Sequence, residues 1–196
     1  VYTYSFEKAV TIREKLHVEQ NLVIGHVGRF DAQKNHTFLL DIFSECVNIV
    51  PNARLLLVGD GEGRTQIQEK AKSLGLEEKV IFTGVRNDVA DLLQAMDVFV
   101  FPSLYEGVPV TMIEAQASGL PCVISDGVPK DCVITSGLVT SMKLSDRPCD
   151  WAKHIAAQLN RKRENHLEEI QAAGYDIVTA AKELENFYLK KYGEES

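Results

Sequence analysis

The chain has 196 residues, a formal net charge of −7, 45% hydrophobic and 25% charged residues. That is enough for one large domain or two small ones at about 100–200 residues per domain, with an ordinary globular composition. The acidic balance excludes a dedicated nucleic-acid binder, which needs a basic face to neutralise phosphates. No apolar run reaches the ~18 residues of a membrane span, and the opening VYTYSFEKAV lacks the basic-then-apolar order of a secretory signal.

In chain order, short apolar runs alternate with amphipathic segments. LVIGHVG (22–28) predicts a strand ending at Gly28, and FLLDIFSECVNIV (38–50) has helical spacing. ARLLLVGDG (53–61) predicts a second strand running into a glycine turn, and RTQIQEKAKSLGL (64–76) a polar helix. A third strand, KVIFTG (79–84), a short helix, DVADLLQAM (88–96), and a fourth strand, DVFVFPS (97–103), follow. PVTMIEAQASG (109–119) reads as a helix, LPCVISD (120–126) as a fifth strand and GLVTSMKL (137–144) as a sixth, with two or three helices from about Pro148. The strand runs are almost continuously apolar, the pattern of parallel strands covered on both faces. Regular alternation with helices predicts right-handed βαβ units. The fold class is therefore α/β: a Rossmann-like, doubly wound parallel sheet of about six strands, read as one domain over residues 1–196. Ligands of such sheets bind beyond the carboxyl ends of the strands.

Two carboxylates lie in SLYEGVPVTMIEAQASGLPCVI (103–124). Gly107 and Pro109 keep Glu106 out of the following helix, because Pro belongs at a helix start. Glu106 is then in the loop after the fourth strand and Glu114 about a turn and a half into the helix. Between them the N–H groups of Val110, Thr111 and Met112 are expected to be orphan donors at a positive helix end. Two acceptors flanking an anion site suit a ligand with hydroxyls on both sides of a phosphate. On spacing alone, a structural Glu114 and a surface Glu106 explain the pair equally well. After the first strand comes GRFDAQKNH, where Arg29 follows Gly28 and Lys34 lies near a helix start. Two cations there suit a diphosphate; a basic solvated loop is the plainer alternative.

Other signals are weaker. GDGEG (59–63) lacks the spacing of a dinucleotide fingerprint and reads as a tight strand-to-helix turn. His26 reads as a core or crevice residue, and Trp151 with Ile155 and Leu159, at helical spacing, as core. KRENHLEEI (162–170) reads as a solvated helical face and YDIVTAAKELENFYLKKY (175–192) as amphipathic. The cysteines, Cys46, Cys122, Cys132 and Cys149, form no CxxC pair and have no histidine at metal-ligand spacing. Cys46 and Cys122 are expected to pack as small hydrophobes, reduced in a cytosolic protein.

Taken together, GRFDAQKN, LLVGDGEGR, KVIFTGVRND and MDVFVFPSLYEGVPVTMIEAQASGLPCVISD resemble the carboxyl-terminal, donor-binding domain of the GT-B glycosyltransferases of family 4, above all those of bacterial exopolysaccharide and capsule synthesis. The match runs over about residues 20 to 145. The resemblance implies a retaining, metal-independent hexosyltransferase with no cofactor, whose donor is a nucleoside diphosphate sugar, most often UDP-linked. It implies that Arg29 and Lys34 hold the diphosphate and that Glu106 bonds donor-sugar hydroxyls. Gly28 is expected among the donor-binding residues, and Gly107, Val108, Pro109, Val110 and Thr111 would offer backbone to sugar and phosphate. Glu114 would bond the ribose, while Gly84 and Val85 flank the base. Catalysis is thus expected from Arg29, Lys34 and Glu106, with no metal ligand. Asn35 stands where many relatives carry Gly, and EGVP where they carry EGFG or EGLP. The start at Val1, and a length half that of a two-domain enzyme, suggest an excised donor domain, cytoplasmic, poorly active alone, whose missing amino-terminal domain meets acceptor and membrane face. A non-catalytic nucleotide-binding module of the same fold is the alternative.

Overall fold

A computed structural model describes residues 2–135, 137–158 and 161–192, so Leu159, read as core with Trp151, lies outside the described residues. Six strands, β1 (Leu22–Val27), β2 (Ala53–Val58), β3 (Val80–Phe82), β4 (Val98–Phe101), β5 (Cys122–Ser125) and β6 (Val139–Met142), form one parallel sheet in the order β3-β2-β1-β4-β5-β6. The helices are α1 (Phe6–Leu16), α2 (His36–Ile49), α3 (Arg64–Ser73), α4 (Val89–Ala95), α5 (Val110–Ala117), α6 (Pro148–Ala157), α7 (Leu167–Ala172) and α8 (Ile177–Tyr192). This is the Rossmann-like α/β sheet that the sequence pattern predicts.

The inner strands are mostly apolar because both faces of the sheet are covered, whereas the edge strand β6 includes Thr140 and Ser141 and buries only Met142. In β2, Ala53, Leu55 and Leu57 join a cluster with Leu39, Ile42 and Phe43 of α2, Ile67 of α3 and Trp151 of α6. The alternate residues Leu56 and Val58 join a second cluster with Leu92 and Leu93 of α4 and Met112 and Ala115 of α5. Cys46 and Cys122 are buried, as expected of small hydrophobes, and burial pushes the Cys46 thiol up to about 12.

The strand order reverses between β1 and β4. β1 pairs with β2 along six residues, Leu22↔Ala53 to Val27↔Val58, but with β4 only at Ile24↔Val98 and Gly25↔Phe99. Beyond Gly25 the two strands part, which opens the crevice where such sheets bind ligands. The GDGEG turn beside it is tight, as the sequence suggests. A Cβ on Gly59, at φ +135, would meet the Gly28 carbonyl at 2.0 Å, so only glycine lets these backbones pass.

Two segments differ from expectation. The amino-terminal stretch, to which the pattern assigned no element, forms α1, capped by the Ser5 hydroxyl accepting from the Lys8 N–H and ended by His17 in the left-handed region. The stretch 162–170, read as a solvated helical face, is helical only from Leu167. Arg163 turns inward and donates to the carbonyls of Leu93, Met96 and Ser118. It satisfies carbonyls at and just beyond the ends of α4 and α5 that have no helical partner. Burial pulls its guanidinium down to about 10, still charged at neutral pH. Ile170 is buried nearby against Ile113 and Ala117.

No residue of α8 is buried, and no described helix is long and apolar enough to cross a membrane. Trp151, by contrast, is fully buried, meets Phe38 edge-on with ring centroids 5.7 Å apart, and donates its indole N–H to the Lys143 carbonyl at 3.2 Å. Trp151→Ala is expected to lower stability by about 4 kcal/mol and the Tm by roughly 10 °C. Ile177→Ala on α8 should change stability by less than about 0.5 kcal/mol. Thermal melts of the two variants check this pair.

Candidate functional site

Two loops face each other across the β1–β4 split. The first, residues 28–35, runs from β1 to α2; the second, residues 102–109, runs from β4 to α5. The first loop is shaped locally. Asp31 Oδ1 accepts from the Lys34 N–H at 3.1 Å, and Asn35 sits at φ 54, the left-handed conformation that asparagine tolerates, just ahead of α2. Several bonds tie the loops together. The Leu104 N–H donates to the Gln33 carbonyl at 2.8 Å, and Asn35 Nδ2 donates to the Pro102 carbonyl at 3.1 Å. Gln33 Nε2 donates to the Tyr105 carbonyl at 3.0 Å. Lys34 Nζ meets Glu106 Oε1 at 2.6 Å.

That ion pair is nearly shut off from water, with side-chain exposures of 16% for Lys34 and 6% for Glu106. The lysine stem passes over Gly28, where a Cβ would crowd its Cγ and Cδ at 3.1 Å, and its ammonium lies 4.7 Å from the centre of the Phe101 ring. Gly28 therefore serves by leaving room for Lys34.

Arg29 is exposed, and its guanidinium has no bonding partner among the described residues. It opens into a hollow of about 510 Å³ whose walls include Asp31, Asn35, Glu62, Gln66 and Leu104. Lys34 and Glu106 do not line this hollow; they neutralise each other beside it. Val110 and Thr111 at the start of α5 have no side-chain cap. Met112, expected to be a third free donor, gives its N–H to the Pro109 carbonyl at 3.0 Å. That bond closes the first turn of α5 and removes Met112 from the donor set. Around a Cβ on Gly107 there is open space, and Val108 is exposed while Pro109 is buried.

Glu114 stands apart from this group. Its Oε1 accepts from the Tyr2 hydroxyl at 2.5 Å, across 112 residues of sequence. Burial first, and then the carboxylate itself, hold that hydroxyl up to about 12, so it stays a donor at neutral pH. No described bond joins Glu114 to Arg29, Lys34 or Glu106. Gly84, with φ +72, gives its carbonyl to the Gly59 N–H at 2.9 Å, and Val85 beside it is 80% exposed at the end of β3, two strands from β1. The structure thus joins Lys34 to Glu106, places Arg29 on the same loop, and leaves Glu114, Gly84 and Val85 as separate flanks. Gln33 and Tyr2 are contacts that spacing did not point to.

A profile of the glycosyl transferases group 1 matches residues 21–161. A Bacillus subtilis (strain 168) protein named as a glycosyltransferase, EpsF, is 42% identical over 170 residues, 85% of this chain and 44% of its own length. The Escherichia coli UDP-Gal:alpha-D-GlcNAc-diphosphoundecaprenol alpha-1,3-galactosyltransferase is 34% identical over 117 residues, 58% of this chain and 30% of its own. Anabaena HepE, solved in complex with UDP and glucose, shares the fold: TM-score 0.81, 24% identity, 95% of this chain and 53% of that one. The chain spans about half or less of the length of these relatives.

Under the ion pair lie two buried histidines. His26 donates from Nδ1 to the Val100 carbonyl at 2.9 Å, spanning the split where the strand ladder has ended. His36 stacks on Phe30 at 4.2 Å and meets His26 edge-on at 4.7 Å, and neither of its ring nitrogens has a partner. Burial holds His26 well below its ordinary range and His36 down to about 4. An unfolded chain takes up these protons near pH 6.5, whereas the folded chain refuses the His36 proton until about pH 4. Stability is therefore full above pH 6.5 and falls as the pH drops toward 4. His36 alone is expected to cost about 2 kcal/mol between pH 6.5 and 5. Urea unfolding at the two pH values should show this loss, and His36→Phe, which keeps the stack on Phe30, should remove the His36 share.

Proposed function

Because the chain belongs to the glycosyl transferases group 1 family, we propose that it carries the site for a nucleoside diphosphate sugar donor, UDP-linked. The observation that carries this reading is the Lys34–Glu106 pair, at 2.6 Å on the β1–β4 split, with the unpaired Arg29 on the same loop. A diphosphate needs cations that can leave their present partner, and a sugar needs a carboxylate to accept from its hydroxyls. This pair supplies both once it is parted. Similar proteins support the choice of nucleotide: HepE was solved with UDP, and the E. coli relative is named for UDP-Gal.

In this reading Arg29 grips diphosphate oxygens two at a time and Lys34 acts as a point charge. As the bond from the sugar to the diphosphate breaks, both stabilise the charge that gathers on the leaving nucleotide, in the place a metal ion takes elsewhere. The N–H groups of Val110 and Thr111 add the positive end of α5. Glu106 orients the sugar. Glu114 keeps its second carboxylate oxygen for ribose hydroxyls while Tyr2 holds the first. Gly84 and Val85 border the base. Transfer retains anomeric configuration and uses no metal. It serves polysaccharide or glycoconjugate synthesis in the cytoplasm, with the acceptor and any membrane contact belonging to chain beyond these residues, so transfer by these residues alone is poor.

A thermal-shift panel of UDP, GDP, ADP and CDP tests the reading. UDP at a hundredfold excess over its Kd should stabilise the chain by about 2.7 kcal/mol, a rise in Tm of roughly 5–10 °C. Arg29→Ala or Lys34→Ala should abolish most of that rise, and Glu114→Ala should reduce it. A folded wild-type chain whose Tm no nucleotide moves at millimolar concentration would overturn the proposal.

A further inference from the structure

Gln33 has no part in the roles above, yet it makes three bonds to three consecutive residues of the facing loop. Its carbonyl accepts from the Leu104 N–H at 2.8 Å. Its Nε2 donates to the Tyr105 carbonyl at 3.0 Å and to Glu106 Oε2 at 3.2 Å. Lys34 holds the other oxygen of the same carboxylate, Oε1, at 2.6 Å. Glu106 is thus gripped on both oxygens by neighbouring residues of one loop, one grip cationic and one neutral.

A diphosphate affects these two grips differently. It carries more negative charge than a carboxylate and draws the ammonium of Lys34 toward itself, whereas a neutral amide feels no comparable pull. When Lys34 turns away, Oε1 is left bare and free to accept from a hydroxyl. A glutamate released from both grips would regain rotamer freedom, which a bound sugar would have to take away again. The Glu106 backbone is already fixed, since its N–H donates to the Gly127 carbonyl at 3.0 Å. The side chain therefore depends on Gln33.

Resting on the donor-binding reading, we infer that Gln33 is the positioning residue for Glu106: its amide keeps the carboxylate aimed at the donor sugar after Lys34 has moved to the diphosphate. The role concerns the sugar and not the nucleotide, and this separates it from a general part in loop stability. Gln33→Met keeps the length and apolar stem of the side chain and removes the amide.

Isothermal titration of wild type and Gln33→Met with UDP, UDP-glucose, UDP-galactose and UDP-N-acetylglucosamine tests this. The readout is the ratio of the Kd for UDP to the Kd for whichever sugar nucleotide wild type binds most tightly. Gln33→Met should leave UDP affinity within about twofold and shift the ratio against the sugar nucleotide by about tenfold, the scale of one hydrogen bond to a charged group. In a Glu106→Ala background the same change should shift the ratio no further. Equal loss of UDP and sugar nucleotide would make Gln33 merely structural. An unchanged ratio, or an additive loss in the Glu106→Ala background, would overturn the inference while the donor reading stood. A wild-type chain that bound none of the four would overturn both.

Discussion

A parallel sheet whose strand order reverses has to come apart at the reversal, and the polar groups left along that split must find partners. Here β1 and β4 stay paired for only two residues. Past that point the ladder is replaced by side chains: His26 to the Val100 carbonyl, Asn35 to the Pro102 carbonyl, and the Lys34–Glu106 pair above them. A buried backbone carbonyl without a partner is costly, so these contacts are required by the fold before any ligand is considered. They also set the charge state of the site. His26 sits under the stem of Lys34, and burial keeps it neutral. A protonated His26 would push against the cation that the crevice needs. His36, also neutral, fills the space below through Phe30. The split thus stands on an uncharged floor and keeps its cations at the mouth.

The ion pair itself is a poor stabiliser. Taking two charges out of water costs about as much as their attraction returns, so a buried pair is near neutral compared with apolar packing. What the pair does provide is an exchange in which the carboxylate keeps one partner throughout. When an anion arrives, Lys34 can pass from carboxylate to phosphate while Gln33 still bonds Glu106, so neither buried group is left unpartnered. The Arg64–Asp60 pair, between the start of α3 and the loop before it, has water for either partner and no such constraint.

The strands were legible because burial on both faces makes most of them nearly continuously apolar, and the helix–strand alternation then leaves few topologies. Boundaries came out narrower than the apolar runs, since residues such as Pro102, Ser103 and Asp126 already turn away from the sheet. Lys34, Arg29 and Glu106 were legible because each follows a strand that ends at the crevice. Other features carried no local mark. α1 turns Ala9, Ile12 and Leu16 to the core at helical spacing, but Phe6 and Val10 are exposed apolar residues that blur this stripe in the sequence. Arg163 lies in a run of charged residues, and nothing in its neighbours says that it alone turns inward to α4 and α5. The Met112 N–H was counted as free because the short turn at Pro109 cannot be seen in the spacing. Tyr2 and Glu114 meet across 112 positions, and a contact of that range leaves no pattern in either segment.

The two glutamates of α5 and its preceding loop are held by different chemistry, and the difference bears on the order in which a ligand could engage them. Glu106 rests against a cation, which another anion can draw off. Glu114 rests against a phenol whose proton is held well above the neutral range, so no change of charge nearby releases it. A group that brings only hydroxyls therefore finds Glu114 with one oxygen already open and Glu106 with both oxygens taken. A group that brings phosphate first opens Glu106. In the donor-binding reading proposed above, the carboxylate nearest the cations becomes available only after the anion has arrived, which would tie recognition of a sugar to prior capture of the charged carrier that bears it.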